Sequence, residues 1–255
     1  MDFETAEKEK EKEKEKEKEK EKEVTIYKIP RKIFQTHKSI EYIQGKPQIG
    51  NAINSWRKCV PEFGYYFYSN DLCEQFMRDE MGGDIYKAYS RLPIPVMKAD
   101  LWRYCVIYKY GGIYADTDTI RLVDPNIFLH NDALLMIVPE NSTHLCNWIF
   151  SAPPESPIIK NIIDLSVKRI LSIVQIKGEH IVHHLTGPGV FTDGIESYLY
   201  TNNKPVFKDK KQYFNYPDQC LAVFNYNRFH TKAVKHLFMG SSSEDGWFND
   251  RNKRK

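Results

Sequence analysis

The sequence predicts an α/β domain on a largely parallel sheet. Short β-branched and aromatic runs alternate with amphipathic stretches, Gly and Pro punctuate their junctions, and one apolar strand runs straight into two acids. In order, a strand is expected through Lys32 to Gln35 after Pro30, then a helix near Asn51 to Val60. A second strand, Tyr65 to Tyr68, ends at the turn-prone Ser69, Asn70 and Asp71. Leu72 to Tyr89 has helical character broken at Gly82 and Gly83, and Pro93 with Pro95 punctuates the chain again. From Val96 to Tyr110 apolar residues recur at helical spacing until Gly111 and Gly112 stop the helix. A strand Ile113 to Ala115 follows at once, and Leu134 to Val138 reads as a buried strand. Ser156 to Val174, entered through Pro157, is an amphipathic helix with Ile158, Ile159, Ile162, Ile163 and Leu165 on its apolar side. In such a sheet, ligands sit at the carboxyl ends of the strands.

A chain of 255 residues with 41% hydrophobic content can bury a core, and one folded domain over residues 24–250 is expected. Residues 1–23 are set apart, because the Glu/Lys alternation from Glu7 to Glu23 offers nothing apolar to bury. It reads as a solvated tail, and residues 251–255 as a basic C-terminal one. The tail carries eight Lys against eleven acids, which leaves the remainder at about +6. That excess suits a phosphorylated small molecule, and the absence of a dense basic stripe argues against a nucleic-acid binder. Cys59, Cys73, Cys105, Cys146 and Cys220 form no C-x-x-C pair, so reduced thiols are expected. With no 18-residue apolar run and a charged start, the chain has no transmembrane segment or signal peptide to read, and a cytoplasmic location is expected.

The chemistry-bearing segment is Gly111-Gly112-Ile113-Tyr114-Ala115-Asp116-Thr117-Asp118. Two acids one residue apart, where a strand gives way to a loop, can face one hard cation. Their oxygens suit Mn²⁺ or Mg²⁺, an ion able to bridge a diphosphate and offset the charge that builds on a departing phosphate. A solvated turn would show the same spacing. The preceding helix adds Asp100 and Arg103, three apart on one face among Val96, Met97, Leu101, Trp102 and Ile107. They read either as a surface ion pair worth about 0.2–0.5 kcal/mol, or as a carboxylate for sugar hydroxyls beside a guanidinium for sugar or phosphate oxygens.

Val96-x-x-Ala99-Asp100-x-x-Arg103-Tyr104, followed by Tyr108-x-x-Gly111-Gly112-Ile113-Tyr114-x-Asp116-x-Asp118, resembles the sugar-binding D-x-D signature of glycosyltransferase family 32. That family includes fungal initiating α-1,6-mannosyltransferases and inositol-phosphoceramide mannosyltransferases. Ile29 to Thr36 is similar to the family's opening strand, where the base docks, with Phe34 in place of its His and His37 in place of its Trp. The resemblance therefore implies donor contacts at Phe34, Gln35, Thr36, His37 and Tyr114. Thr186-Gly187-Pro188-Gly189 resembles the family's loop near the donor sugar, although a turn before a helix would look alike. His236-x-x-x-Gly240-Ser241 is similar to its closing loop over the diphosphate, with Ser242, Ser243 and Glu244 where a Trp is usual. His236 would then join Asp116 and Asp118 on the metal, and Ser241 would touch the donor. His183 and His184, adjacent and opposed if on a strand, make a poor metal pair and are set aside.

The resemblance implies a Rossmann-like glycosyltransferase type A fold, with a mainly parallel central sheet flanked by helices. It also implies a metal-dependent, retaining transfer of a hexose from GDP-mannose or a UDP-hexose to a glycan, glycolipid or protein acceptor. Asp118 would hold Mn²⁺ or Mg²⁺ most directly, Asp116 would bridge to metal or ribose, and Asp100 and Arg103 would complete the catalytic group. No catalytic base is assigned. Two other classes stay open: a non-catalytic nucleotide-sugar binder, favoured by the altered closing loop, and a D-x-D phosphatase, disfavoured by Ile120 at a position where Thr or Val is wanted.

Overall fold

The computed structural model describes residues 28–58 and 62–239. The Glu/Lys tail, Cys59, Gly240, Ser241 and the basic C-terminus lie outside the described residues.

Strand β1 (Lys32–Thr36) follows Pro30 as expected. Helix α1 (Ile40–Gln44) is capped by Ser39, whose hydroxyl accepts the Tyr42 N–H. Helix α2 (Pro47–Arg57) starts ahead of the expected Asn51, because Pro47 fits the first turn, and it buries Ile49, Ala52, Ile53 and Trp56. After β2 (Gly64–Tyr68), α3 (Asn70–Phe76) runs into a π-helical turn, Met77–Met81. Gly82, at φ 56°, breaks the path there and α4 (Gly83–Arg91) follows. Helix α5 (Pro95–Tyr110) buries an unbroken stretch from Asp100 to Ile107, Arg103 included. Strands β3 (Gly112–Ala115), β4 (Thr119–Arg121), β5 (Leu135–Ile137) and β6 (Ile149–Ala152) come next. Helices α6 (Pro157–Ser172), α7 (Ile181–Leu185) and α8 (Pro188–Thr201) precede β7 (Leu221–Val223), α9 (Tyr226–Lys232) and β8 (Val234–His236). Strands β4, β6, β7 and β8 are three or four residues long, too short for a period-2 pattern to show.

The six-stranded sheet has the order β2-β1-β3-β6-β5-β7. Its β1–β2, β1–β3 and β5–β7 pairs are parallel, and β6 is antiparallel to both neighbours. Alternation along the strands divides the core. Phe34, Tyr114, Leu135 and Phe150 pack with α5, α6 and α8. Ile33, Ile113, Met136 and Ile149 pack with Trp56, Phe128 and Phe229 on the other face. The carboxyl ends of β1, β3 and β5 therefore meet the amino end of β6 along one edge, and the site forms there. Cys73, Cys105, Cys146 and Cys220 are buried and unbridged, and no helix among the described residues is long and apolar enough to cross a membrane.

Two glycines join α5 to β3. Gly111 has φ 61° and Gly112 φ 114°, a region open to Gly at little cost. A Cβ on Gly112 would lie 2.6 Å from the Lys32 carbonyl of β1. Gly112→Ala is thus expected to destabilise the protein by more than about 1 kcal/mol, read as a lower urea midpoint; an unshifted midpoint would show that β1 and β3 part freely.

Candidate active site

Strand β3 delivers its two acids into a tight turn. The Asp116 N–H donates to the Trp148 carbonyl of the β6 approach at 2.9 Å, and the turn closes with Thr119 N–H to Asp116 O at 3.1 Å. Gln35 braces it from behind, its Nε2 donating to Asp116 O at 3.1 Å. Beyond the turn, β4 pairs antiparallel with β8 and sets Thr119 opposite His236. The C-terminal segment is tied in further: Leu237 N–H donates to Asp118 O at 2.8 Å, and Met239 N–H to Asp118 Oδ2 at 2.8 Å.

Asp100 and Arg103 are a buried pair, each 4% exposed, which excludes the surface-pair reading. Arg103 Nη2 lies 3.0 Å from Asp100 Oδ1 and 3.2 Å from Asp116 Oδ1, so one guanidinium links the helix acid to the turn acid. Its Nη1 donates to the Asn147 carbonyl at 2.9 Å, and the group sits 4.6 Å over the Tyr114 ring. The Tyr114 hydroxyl donates to Asp116 Oδ1. Asp100 also accepts from Asn147 Nδ2 at 3.3 Å and Thr186 Oγ1 at 3.2 Å. Burial pushes its carboxyl up to about 7 despite Arg103 alongside. Asp116 is raised too, by burial and then by the like charge of Asp118, against the pull of Arg103.

His236 completes the group. Asp116, Asp118 and His236 each offer one ligand atom, all within 4.8 Å of one another. The imidazole stacks on Trp148 at 4.7 Å, its Nε2 is 3.2 Å from Asp118 Oδ1, and its buried Nδ1 has no hydrogen-bond partner among the described residues. Burial disfavours the imidazolium, but Asp118, Asp116 and Glu140 outweigh it and raise its pKa above the usual 6.5. Two carboxylate oxygens and one imidazole nitrogen, two of them on groups repelling each other, are a donor set that a divalent cation fits. Because a metal must displace that proton, the rise in melting temperature caused by Mn²⁺ is expected to grow from about pH 6 to about pH 8. A shift that stays flat over that window would remove His236 from the ligand set.

These groups line one cleft of about 430 Å³, together with Thr36, His37, Tyr42, Lys46, Glu140, Asn147, Trp148, His183 and Pro188. Of the residues named from sequence, Asp100, Arg103, Tyr114, Asp116, Asp118, His236, Thr36, His37 and Pro188 come together there. Phe34 and Gln35 do not. Strand alternation sends Phe34 into the core, stacked on Tyr66 at 5.1 Å and Tyr110 at 6.1 Å, and turns the buried Gln35 amide toward the β3 carbonyls. Gly187 and Gly189 act through the backbone: a Cβ on Gly189 would lie 2.6 Å from the His183 carbonyl, so they let α8 approach α7 closely. His183 and His184 sit on α7, not on a strand, which brings His183 to the cleft after all. Asn147 and Glu140 carry no motif, and only the pairing of β5 with β6 reveals them.

Residues 47–135 match the family described as "Glycosyltransferase sugar-binding region containing DXD motif". The chain is 22% identical over 280 residues to an initiation-specific alpha-1,6-mannosyltransferase of Candida albicans, covering 85% of this chain and 73% of that one. It is 27% identical over 197 residues to the Schizosaccharomyces pombe protein of the same name, covering 67% of this chain and 49% of the relative. The PaToxG glycosyltransferase shares the fold at a TM-score of 0.53 and 19% identity, over 69% of each chain. The resemblance read from Val96 to Asp118 holds over residues 47–135, where the DXD sugar-binding region is matched.

Proposed function

We propose that this protein is a glycosyltransferase that moves a hexose from a nucleotide diphosphate sugar, GDP-mannose or a UDP-hexose, to a glycan, glycolipid or protein hydroxyl, with retention and with the help of a divalent cation. The observation that carries the reading is the convergence of Asp116, Asp118 and His236 on one point of a cleft also lined by Asp100 and Arg103. We place the working unit within residues 24–250. Relatives named as mannosyltransferases support a mannosyl donor.

Asp118, Asp116 and His236 would hold the cation, and the imidazole nitrogen favours Mn²⁺ over Mg²⁺, which keeps to oxygen ligands. When bound, the cation supplies Lewis-acid neutralisation of the diphosphate leaving group. Arg103 keeps Asp116 facing the cleft through a 3.2 Å contact and adds positive potential there. Asp100, fixed by Arg103, Asn147 and Thr186, keeps acceptor capacity for a sugar hydroxyl. Where the family places a Trp, His37 and Tyr42 stand 5.0 Å apart, and Lys38 and Lys46 each lie 4.8 Å from the Tyr42 ring. That is an aromatic, cationic surface suited to a nucleobase and its phosphates. Pro188, at the first turn of α8, would border the sugar.

The test is turnover of a panel of GDP- and UDP-hexoses with Mn²⁺, read as release of GDP or UDP. Donor consumption that chelation stops and Mn²⁺ restores is the expected result. Saturable donor binding with no turnover across the panel would instead make the protein a nucleotide-sugar binder.

A further inference from the structure

Among the described residues, Glu140 is the one acid of the cleft that neither the sequence motifs nor the cation group accounts for. It sits just past the carboxyl end of β5, in a hairpin held by the Pro139–Leu145 bridge and by Glu140 N–H to His144 O at 3.0 Å. The backbone is therefore fixed while the side chain lines the cleft. The other three acids there are engaged: Asp100 by Arg103, Asn147 and Thr186, Asp116 by Tyr114 and Arg103, Asp118 by Met239 and His236. The Glu140 carboxylate has no hydrogen-bond partner among the described residues, although it is only partly exposed. It is also outside the set of ligand atoms within 4.8 Å of one another. A partly desolvated carboxylate whose lone pairs no described residue occupies, facing a sugar-sized space beside but not in a cation site, is suited to accept a hydrogen bond from a hydroxyl.

We propose that Glu140 orients the incoming hydroxyl for attack on the anomeric carbon, a water in donor hydrolysis and a sugar or other alcohol in transfer. The inference rests on the transferase reading. The bond from the hydroxyl oxygen to the anomeric carbon forms as the bond from that carbon to the diphosphate oxygen breaks, and the hydroxyl proton ends on the released diphosphate. Glu140 accepts the hydroxyl's hydrogen bond during this exchange and is unchanged after it. One further observation agrees with a carboxylate held for this purpose. Its position on the loop leading to β6 separates it from the His37 and Tyr42 surface on the β1 side, so donor grip and acceptor alignment fall to different elements.

The experiment compares the full chain with Glu140→Gln and Glu140→Asp, using the GDP- and UDP-hexose panel with Mn²⁺. Donor hydrolysis is followed as kcat and KM, and binding of GDP, UDP and Mn²⁺ is measured by calorimetry. Glu140→Gln is expected to lower kcat about 100-fold with donor KM and all three affinities within about twofold. Glu140→Asp, one methylene short, should fall between. An unchanged kcat in Glu140→Gln would overturn the inference and leave the transferase reading standing. Loss of Mn²⁺ or nucleotide affinity would overturn it differently, by moving Glu140 to the metal or the donor. A parent protein that turns over no member of the panel would sink the transferase reading and this inference with it.

Discussion

Asp118→Ala is expected to lose about 10²–10³-fold in Mn²⁺-dependent sugar turnover, with Mn²⁺ no longer raising the melting temperature. The carboxylate is 8% exposed, faces His236 at 3.2 Å, and is the donor atom closest to the imidazole that the C-terminal strand brings in. Removing it leaves Asp116 and His236, too few ligands to hold a cation that exchanges against water. The fold should survive, because Asp118 lies in a loop outside both apolar clusters. It will not survive untouched, since the Met239 N–H loses its acceptor, at a cost of about 1–3 kcal/mol. Asp118→Asn separates the two effects: an amide oxygen can still accept from Met239 but carries no charge for the cation. Turnover lost in both variants with stability recovered in Asn is the expected pattern. Normal turnover in Asp118→Ala would remove the cation site from the mechanism.

What the sequence made legible was local. The α5 helix, its glycine stop and β3 lie within twenty-odd residues, and each signal, apolar period, Gly pair and paired acids, is carried by neighbours in the chain. The approach of Asp100 and Arg103 to Asp116 follows from that contiguity. His236 was reachable only through resemblance, because nothing in its surroundings announces that β8 will pair with β4 and set it opposite Thr119. Asn147, Glu140 and His183 were not reachable at all. Their roles depend on β6 running antiparallel beside β3, and on α7 being a five-residue helix whose left-handed N-cap, His180 at φ 60°, no propensity suggests. The opposite error, Phe34 and Gln35, came from treating a docking strand as a continuous run. A strand offers its end to a cleft and alternate residues to the core, so Thr36 and His37 reach the site where the two before them cannot.

Arg103→Ala is the substitution expected to cost most in stability, about 3–5 kcal/mol, a large share of the roughly 5–15 kcal/mol that holds a domain folded. The reason is what it leaves behind. Asp100 stays buried with only the Asn147 amide and the Thr186 hydroxyl as donors, and Asp116 loses the cation 3.2 Å from it. The Asn147 carbonyl and the Tyr114 ring lose their partner as well. Arg103→Lys keeps the charge, yet one ammonium cannot span Asp100, Asp116 and the Asn147 carbonyl as the planar fork does. It is expected to fold with a lowered urea midpoint and weakened Mn²⁺ binding. The pair can be neutralised instead. Asp100→Asn combined with Arg103→Met removes the stranded charge and is expected to recover much of the stability lost in Arg103→Ala, because a buried ion pair replaced by neutral groups is often close to neutral in cost. Turnover should stay lost in the double variant, since stability alone does not restore the carboxylate or the orientation of Asp116. Recovery of turnover along with stability would mean that Asp100 and Arg103 serve the fold alone.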